Sequence, residues 1–257
     1  MSTGIEWTDE TWNPVTGCSK VSPGCANCYA ETLALTRLAG KAGYPGLPWT
    51  PENAAQNVVL RPERLRRPFS WREPRMVFVN SMSDLFHDLV PVQYIADVFA
   101  VMSRAERHTF QVLTKRPERM ARVMGSVAAE SIGSWIAWPP PNVWLGTSIE
   151  NDRWTVRADD LRAVPGDWTR FLSCEPLLGP LPSLDLTDID WVIVGGESGE
   201  GHRPIDQRWV RDIRDRCVEA GIAFFFKQWG GRTPKAGGRL LDGREWNEMP
   251  ARQAVAA

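Results

Sequence analysis

The sequence predicts an α/β fold, a partial or complete (β/α) barrel of the TIM type with six or seven parallel strands. Three observations lead there. Short apolar runs rich in β-branched and aromatic residues recur along the 257 residues, segments of helical period separate them, and the runs are too uniformly apolar to leave one face in water. A parallel sheet covered by helices satisfies all three.

Taken in order, a weak first strand is expected in "TWNPVTG" (11–17). The stronger ones follow: "MVFVN" (76–80), "TFQVLT" (109–114), "VWLGTS" (143–148), "RFLSCE" (170–175), "WVIVGG" (191–196) and "AFFFKQ" (223–228). Helices are expected over 31–38, 92–106, 117–129, 153–163 and 207–220. In the last of these, Val210, Ile213, Cys217, Val218 and Ile222 fall near a helical period with Arg and Asp opposite. Proline-rich "AWPPPNVW" (137–144) reads as a loop entering a strand. The expected organisation is one barrel domain over 1–250 and a disordered tail, "ARQAVAA", over 251–257.

Five cysteines, unevenly spaced, are too few for a disulfide scaffold. A cytoplasmic protein is expected. The amino terminus has no basic start followed by an apolar run, and no segment approaches the roughly 18 apolar residues of a membrane span. A monomer with no membrane partner is expected. The net charge of −1 gives no global footprint for nucleic acid. The arginine-rich stretch 60–75 offers local positive charge, but its plainer reading is a solvated connector.

Every strand is followed within one or two residues by an amide or a charge. The residues are Asn80, Ser81, Ser83 and Asp84; Lys115 and Arg116; Ser148, Glu150 and Asn151; Cys174 and Glu175; Glu197 and Ser198; Lys227 and Gln228. In a parallel barrel these carboxyl ends share one face, where barrel active sites are built. Lys115 and Lys227 suit a carboxylate or phosphate; Glu175 and Glu197 suit a ribose or the work of a base. His87 and His202 lie on loops of the same side and read as structural, whereas His108 precedes a strand and belongs to the opposite face. Most of the thirteen tryptophans are packing residues; Trp7, Trp12 and Trp229 stand near enough to the mouth to stack on a base.

"GCSKVSPGCANCYAE" (17–31) places Cys18, Cys25 and Cys28 in the pattern C-x6-C-x2-C. The Pro-Gly turn between the first two can fold Cys18 back toward the pair. A structural zinc site fills four positions, and the fourth ligand here would come from as far as His87 or Cys174. A [4Fe–4S] cluster held by three thiolates keeps one iron open for an outside ligand. Three readings stay open: a cluster enzyme, a non-catalytic zinc-binding module, and a phosphate-handling barrel with an incidental thiol cluster.

The stretch "TWNPVTGC......C..CYA" resembles the cluster loop of radical S-adenosylmethionine proteins, especially the branch related to spore photoproduct lyase. From "IEWTDETWNPVTGC" through "CEPLLGPL" and "GGESG" to "FFFKQWGG" the whole chain is similar to a phage-associated three-Cys-motif family. The resemblance implies a [4Fe–4S] cluster on Cys18, Cys25 and Cys28, and S-adenosylmethionine as cofactor. It also implies a 5′-deoxyadenosyl radical made by one-electron reduction, a donor such as flavodoxin or ferredoxin, and a nucleic-acid or nucleotide substrate. The alternative is the zinc module, of a phage or prophage. Two departures stand out. The loop is three residues longer than the usual C-x3-C-x2-C, with Asn27 where an aromatic normally precedes the third cysteine, so Tyr29 is expected to pack the adenine. The "GGE" that usually ends the second strand appears after the sixth instead, so Ser81, Ser83 and Asp84 are expected to meet the cofactor's aminocarboxylate, with Ser148 nearby. Cys174 is the candidate to return a hydrogen atom to a substrate radical; its plainer reading is a small buried residue, as is that of Cys217.

Overall fold

The computed structural model describes residues 3–131, 138–233 and 235–250; the tail expected at 251–257 lies outside them. Seven strands run parallel: β1 (Glu10–Trp12), β2 (Met76–Val79), β3 (Thr109–Thr114), β4 (Val143–Ser148), β5 (Thr169–Cys174), β6 (Trp191–Gly195) and β7 (Ala223–Gln228). They lie side by side in chain order. The sheet curls into a half-barrel whose edges, β1 and β7, do not pair. The barrel is therefore partial, and the weak first strand is real but only three residues long.

Helices α1 (Tyr29–Leu35), α2 (Val92–Arg104), α3 (Pro117–Ser131), α4 (Val156–Arg162) and α5 (Gln207–Ala220) return the chain between strands. The helix expected over 153–163 breaks into a 3-10 turn, Asp152–Trp154, followed by α4. Helix α5 has the clearest ends: Asp206 caps it by accepting from the amide of Arg208, and Gly221 closes it in the left-handed region at φ 68°.

Alternation along each strand divides the core into two layers. Outward-facing Val77, Val79, Phe110, Val112, Leu145, Leu172, Val192, Val194, Phe224 and Phe226 pack under the helices. Inward-facing Met76, Phe78, Trp144, Phe171, Trp191, Ile193 and Phe225 fill the hollow together with Trp7, which stands before β1. Gly146 makes room for this layer, because a Cβ there would fall 2.5 Å from the Phe171 ring. The arginine-rich stretch is a largely exposed connector rather than part of the mouth, anchored at points: the carbonyl of Arg64 accepts from the Trp12 indole at 2.8 Å, and the carbonyl of Pro68 bonds the His108 ring at 3.1 Å at the amino-terminal side of β3. No described helix is long and apolar enough to cross a membrane.

Candidate functional site

Beyond β1 the chain forms a short antiparallel bridge, Val15–Thr16 with Val59–Leu60, and then turns sharply at Gly17. That turn requires glycine. Its φ is 78°, and a Cβ would lie 1.9 Å from the carbonyl oxygen of Asn57. The Gly17 amide donates to Met82 at 2.9 Å, which sets Cys18 against the end of β2. Cys25 closes the 3-10 turn Pro23–Cys25, and Cys28 caps α1. All three thiols are half-buried and line one cavity of about 400 Å³ at the carboxyl ends of the strands.

Three ion pairs from different strand ends hold this loop. Beside Cys18, Arg116 lies 3.5 Å from the sulfur, 3.0 Å from Asp84 and 3.0 Å from the carbonyl of Ser19. Asp84 also accepts from the hydroxyl of Thr114 at 2.7 Å and from two backbone amides. Burial alone would raise the Asp84 carboxyl, but Arg116 and these donors outweigh it and hold it below the usual range. Beside Cys25, Glu150 accepts from the Gly24 amide at 3.1 Å and pairs with Arg157 at 2.9 Å; both side chains are buried, and Arg157 stacks 4.0 Å over Trp154. Beside Cys28, Asn27 donates to Glu197 at 2.9 Å, and Arg203 grips the same carboxylate at 2.9 Å. Burial pushes the Cys18 thiol up to about 12 against the pull of Arg116, and raises that of Cys28 as well.

The facing wall carries Glu175, held by Lys227 at 2.9 Å and by the Ser173 hydroxyl at 3.2 Å. Lys115 lines the cavity with no ion pair among the described residues, and Ser148 is a buried part of the lining. Tyr29 covers the opening, its hydroxyl donating to the carbonyl of Ser81 at 2.7 Å. Ser81, Ser83 and Asp84 do line the cavity, yet their polar atoms already serve the chain: Ser81 bonds Asn13 and Ser83 donates to Val15.

Cys174 is not part of this wall. Strand alternation turns Ser173 and Glu175 inward and Cys174 outward, where it is fully buried in the helix-side layer that also holds Cys217. A hydrogen atom carried on its sulfur has no path into the cavity. The expectation that it faced the mouth was a parity error.

Asn80, expected among the mouth residues but given no role of its own, does line the cavity. It follows β2 directly, continuing the inward parity of Met76 and Phe78, in the left-handed region at φ 64°, and is 3% exposed. Both its amide oxygen and its amide nitrogen are buried without a partner, as is the indole nitrogen of Trp7 on the same cavity. The signal available was a polar residue continuing the inward set of an otherwise apolar strand.

Among the described residues, no three His, Cys, Asp or Glu side chains stand close enough to share one metal ion. One ion gathers its sulfurs around a single centre at about 2.3 Å, whereas a cubane cluster gives each thiolate its own iron and spreads them. The three thiols line one cavity, with Arg116 as a cationic neighbour to the sulfur of Cys18.

A family model described as "Protein of unknown function (DUF5131)" matches residues 2–250. No curated protein and no solved structure matches the chain.

Proposed function

The chain thus belongs to that family of unknown function, DUF5131, and we propose that it is a radical S-adenosylmethionine-type enzyme. In this reading Cys18, Cys25 and Cys28 hold a [4Fe–4S] cluster, and the cavity takes S-adenosylmethionine together with a nucleotide or nucleic-acid substrate. One observation carries the reading: three half-buried thiols of a single loop line the same cavity at the carboxyl ends of a parallel half-barrel. When bound, a cluster with three protein ligands supplies a vacant iron for the cofactor and an electron, drawn from a flavodoxin or ferredoxin, for cleaving its sulfonium.

The chain's own residues do the positioning. The pairs Asp84–Arg116, Glu150–Arg157 and Glu197–Arg203 fix the loop before any metal arrives. Arg116 favours the thiolate of Cys18 by donating to it. Lys115 presents an ammonium group to a carboxylate or phosphate, Lys227 holds Glu175 in place, and an aromatic layer packs beneath the cavity.

Anaerobic reconstitution with iron and sulfide tests the proposal. About four irons per chain are expected, with an electron paramagnetic resonance signal that changes on adding S-adenosylmethionine, and 5′-deoxyadenosine on reduction. Cys18→Ala, Cys25→Ala and Cys28→Ala should each lose the iron. Zinc in place of iron, or iron loading indifferent to all three substitutions, would overturn it.

A further inference from the structure

The deep end of the cavity contains an unusual set of groups. Asn80 is 97% buried by complement of its 3% exposure, and neither atom of its amide has a partner. A buried amide left unpaired costs on the order of 1–3 kcal/mol per group. Its backbone is also held at φ 64°, outside the region most residues prefer. An unpaired buried amide on a backbone turned into the cavity calls for a ligand that completes it.

The surroundings narrow the chemistry. The indole nitrogen of Trp7, 2% exposed, is a second unpaired donor on the same cavity. Phe78 supplies a flat and Leu113 an aliphatic apolar lining to the same cavity, and the charged groups Glu175 with Lys227 and Asp84 with Arg116 are already paired with each other. What is missing is therefore uncharged, flat, and able both to donate to and accept from one amide while accepting from an indole. An amide bound edge-on to a nucleobase has that pairing, as when asparagine reads adenine at N6 and N7. Lys115, without an ion pair among the described residues, lines the same cavity and suits an anionic group attached to the ring.

We propose that Asn80, with Trp7, is a nucleobase-reading site at the deep end of the cavity. This deepens the function proposed above by naming the part of the ligand that is recognised, and it shares that reading's cavity but needs no iron. Two sources can supply such a ring: the base of a nucleotide substrate, or the adenine of S-adenosylmethionine itself.

Isothermal titration calorimetry on the full chain, with adenosine, guanosine, cytidine, thymidine and S-adenosylmethionine as separate probes and ribose 5-phosphate as a base-free control, distinguishes them. Asn80→Asp keeps the side-chain shape and tolerance of the left-handed region but replaces the donor with an acceptor. At least one base-containing probe should bind, and Asn80→Asp should weaken it by about 10- to 100-fold; Asn80→Gly, relaxed at this φ, should weaken it similarly. Binding confined to S-adenosylmethionine assigns the site to the cofactor's adenine; binding of a nucleoside other than adenosine assigns it to the substrate. Binding of no probe, or equal binding by the native chain and both variants, rejects the site. Iron analysis of Asn80→Asp separates the two proposals, since that variant should lose base binding and still load iron on Cys18, Cys25 and Cys28.

Discussion

Gly17 turns the chain into the cysteine loop where no side chain fits, and the cost of adding one can be isolated. Gly40 has nearly the same φ, 77°, but open space around its Cβ position. Gly40→Ala should cost about 1 kcal/mol for the left-handed backbone alone. Gly17→Ala adds a 1.9 Å clash with a carbonyl and should cost at least twice that, read from urea denaturation midpoints of the two variants. His87, bonded to the hydroxyl of Ser19 at 2.8 Å, carries a pH signature. Burial first, and Arg116 next, bring its imidazole down to about 4. The unfolded chain takes up this proton near 6.5, so the stabilisation is complete above that pH and is lost as pH falls toward 4, by about 3 kcal/mol at most. Between pH 7.5 and 4.5 the urea midpoint of His87→Gln should fall less steeply than that of the native chain; equal slopes would refute the assignment.

The cysteine loop and the strand ends are separate elements joined by charge. Glu150 and Arg157 are both buried, so removing one leaves the other without compensation. Arg157→Ala should cost about 3–5 kcal/mol and, by releasing Gly24 beside Cys25, lower iron retention after reconstitution. Thermal denaturation and iron analysis check the two effects separately. None of these tethers was visible in the sequence, because Gly24 and Glu150 stand 126 residues apart and Asn27 and Glu197 stand 170 apart. The thiol cluster was legible because its spacing is local. Strand positions were legible too, since the apolar runs are short and bounded. Which residues face inward was not: β5 reads "TRFLSC" with apolar or small residues on both parities, as a doubly covered strand must. Cys174 was misplaced for that reason, and Asn80 was placed at the mouth without a role, while Ser83 and Asp84 were assigned to a ligand without sight of Val15 and Arg116, their actual partners.

At the scale of the whole molecule, the half-barrel depends on an aromatic layer inside the sheet. Trp191 is its centre, in ring contact with Trp7, Trp144, Phe171 and Phe225, and its indole donates to Glu248 at 2.9 Å. Trp191→Ala should cost about 3–5 kcal/mol and lower the Tm by roughly 10 °C in calorimetry. A partial barrel was expected alongside a complete one, and the choice between them lay beyond the sequence: closure depends on whether a three-residue β1 meets β7, and no local pattern encodes that pairing. The same aromatic layer shapes the cavity. Because Trp7, Phe78 and Trp191 fill the hollow from below, the cavity floor is built of rings and its charged groups sit above them, at the strand ends that also carry the cysteine loop. A ligand lying across it would meet apolar surface on one side and charge on the other.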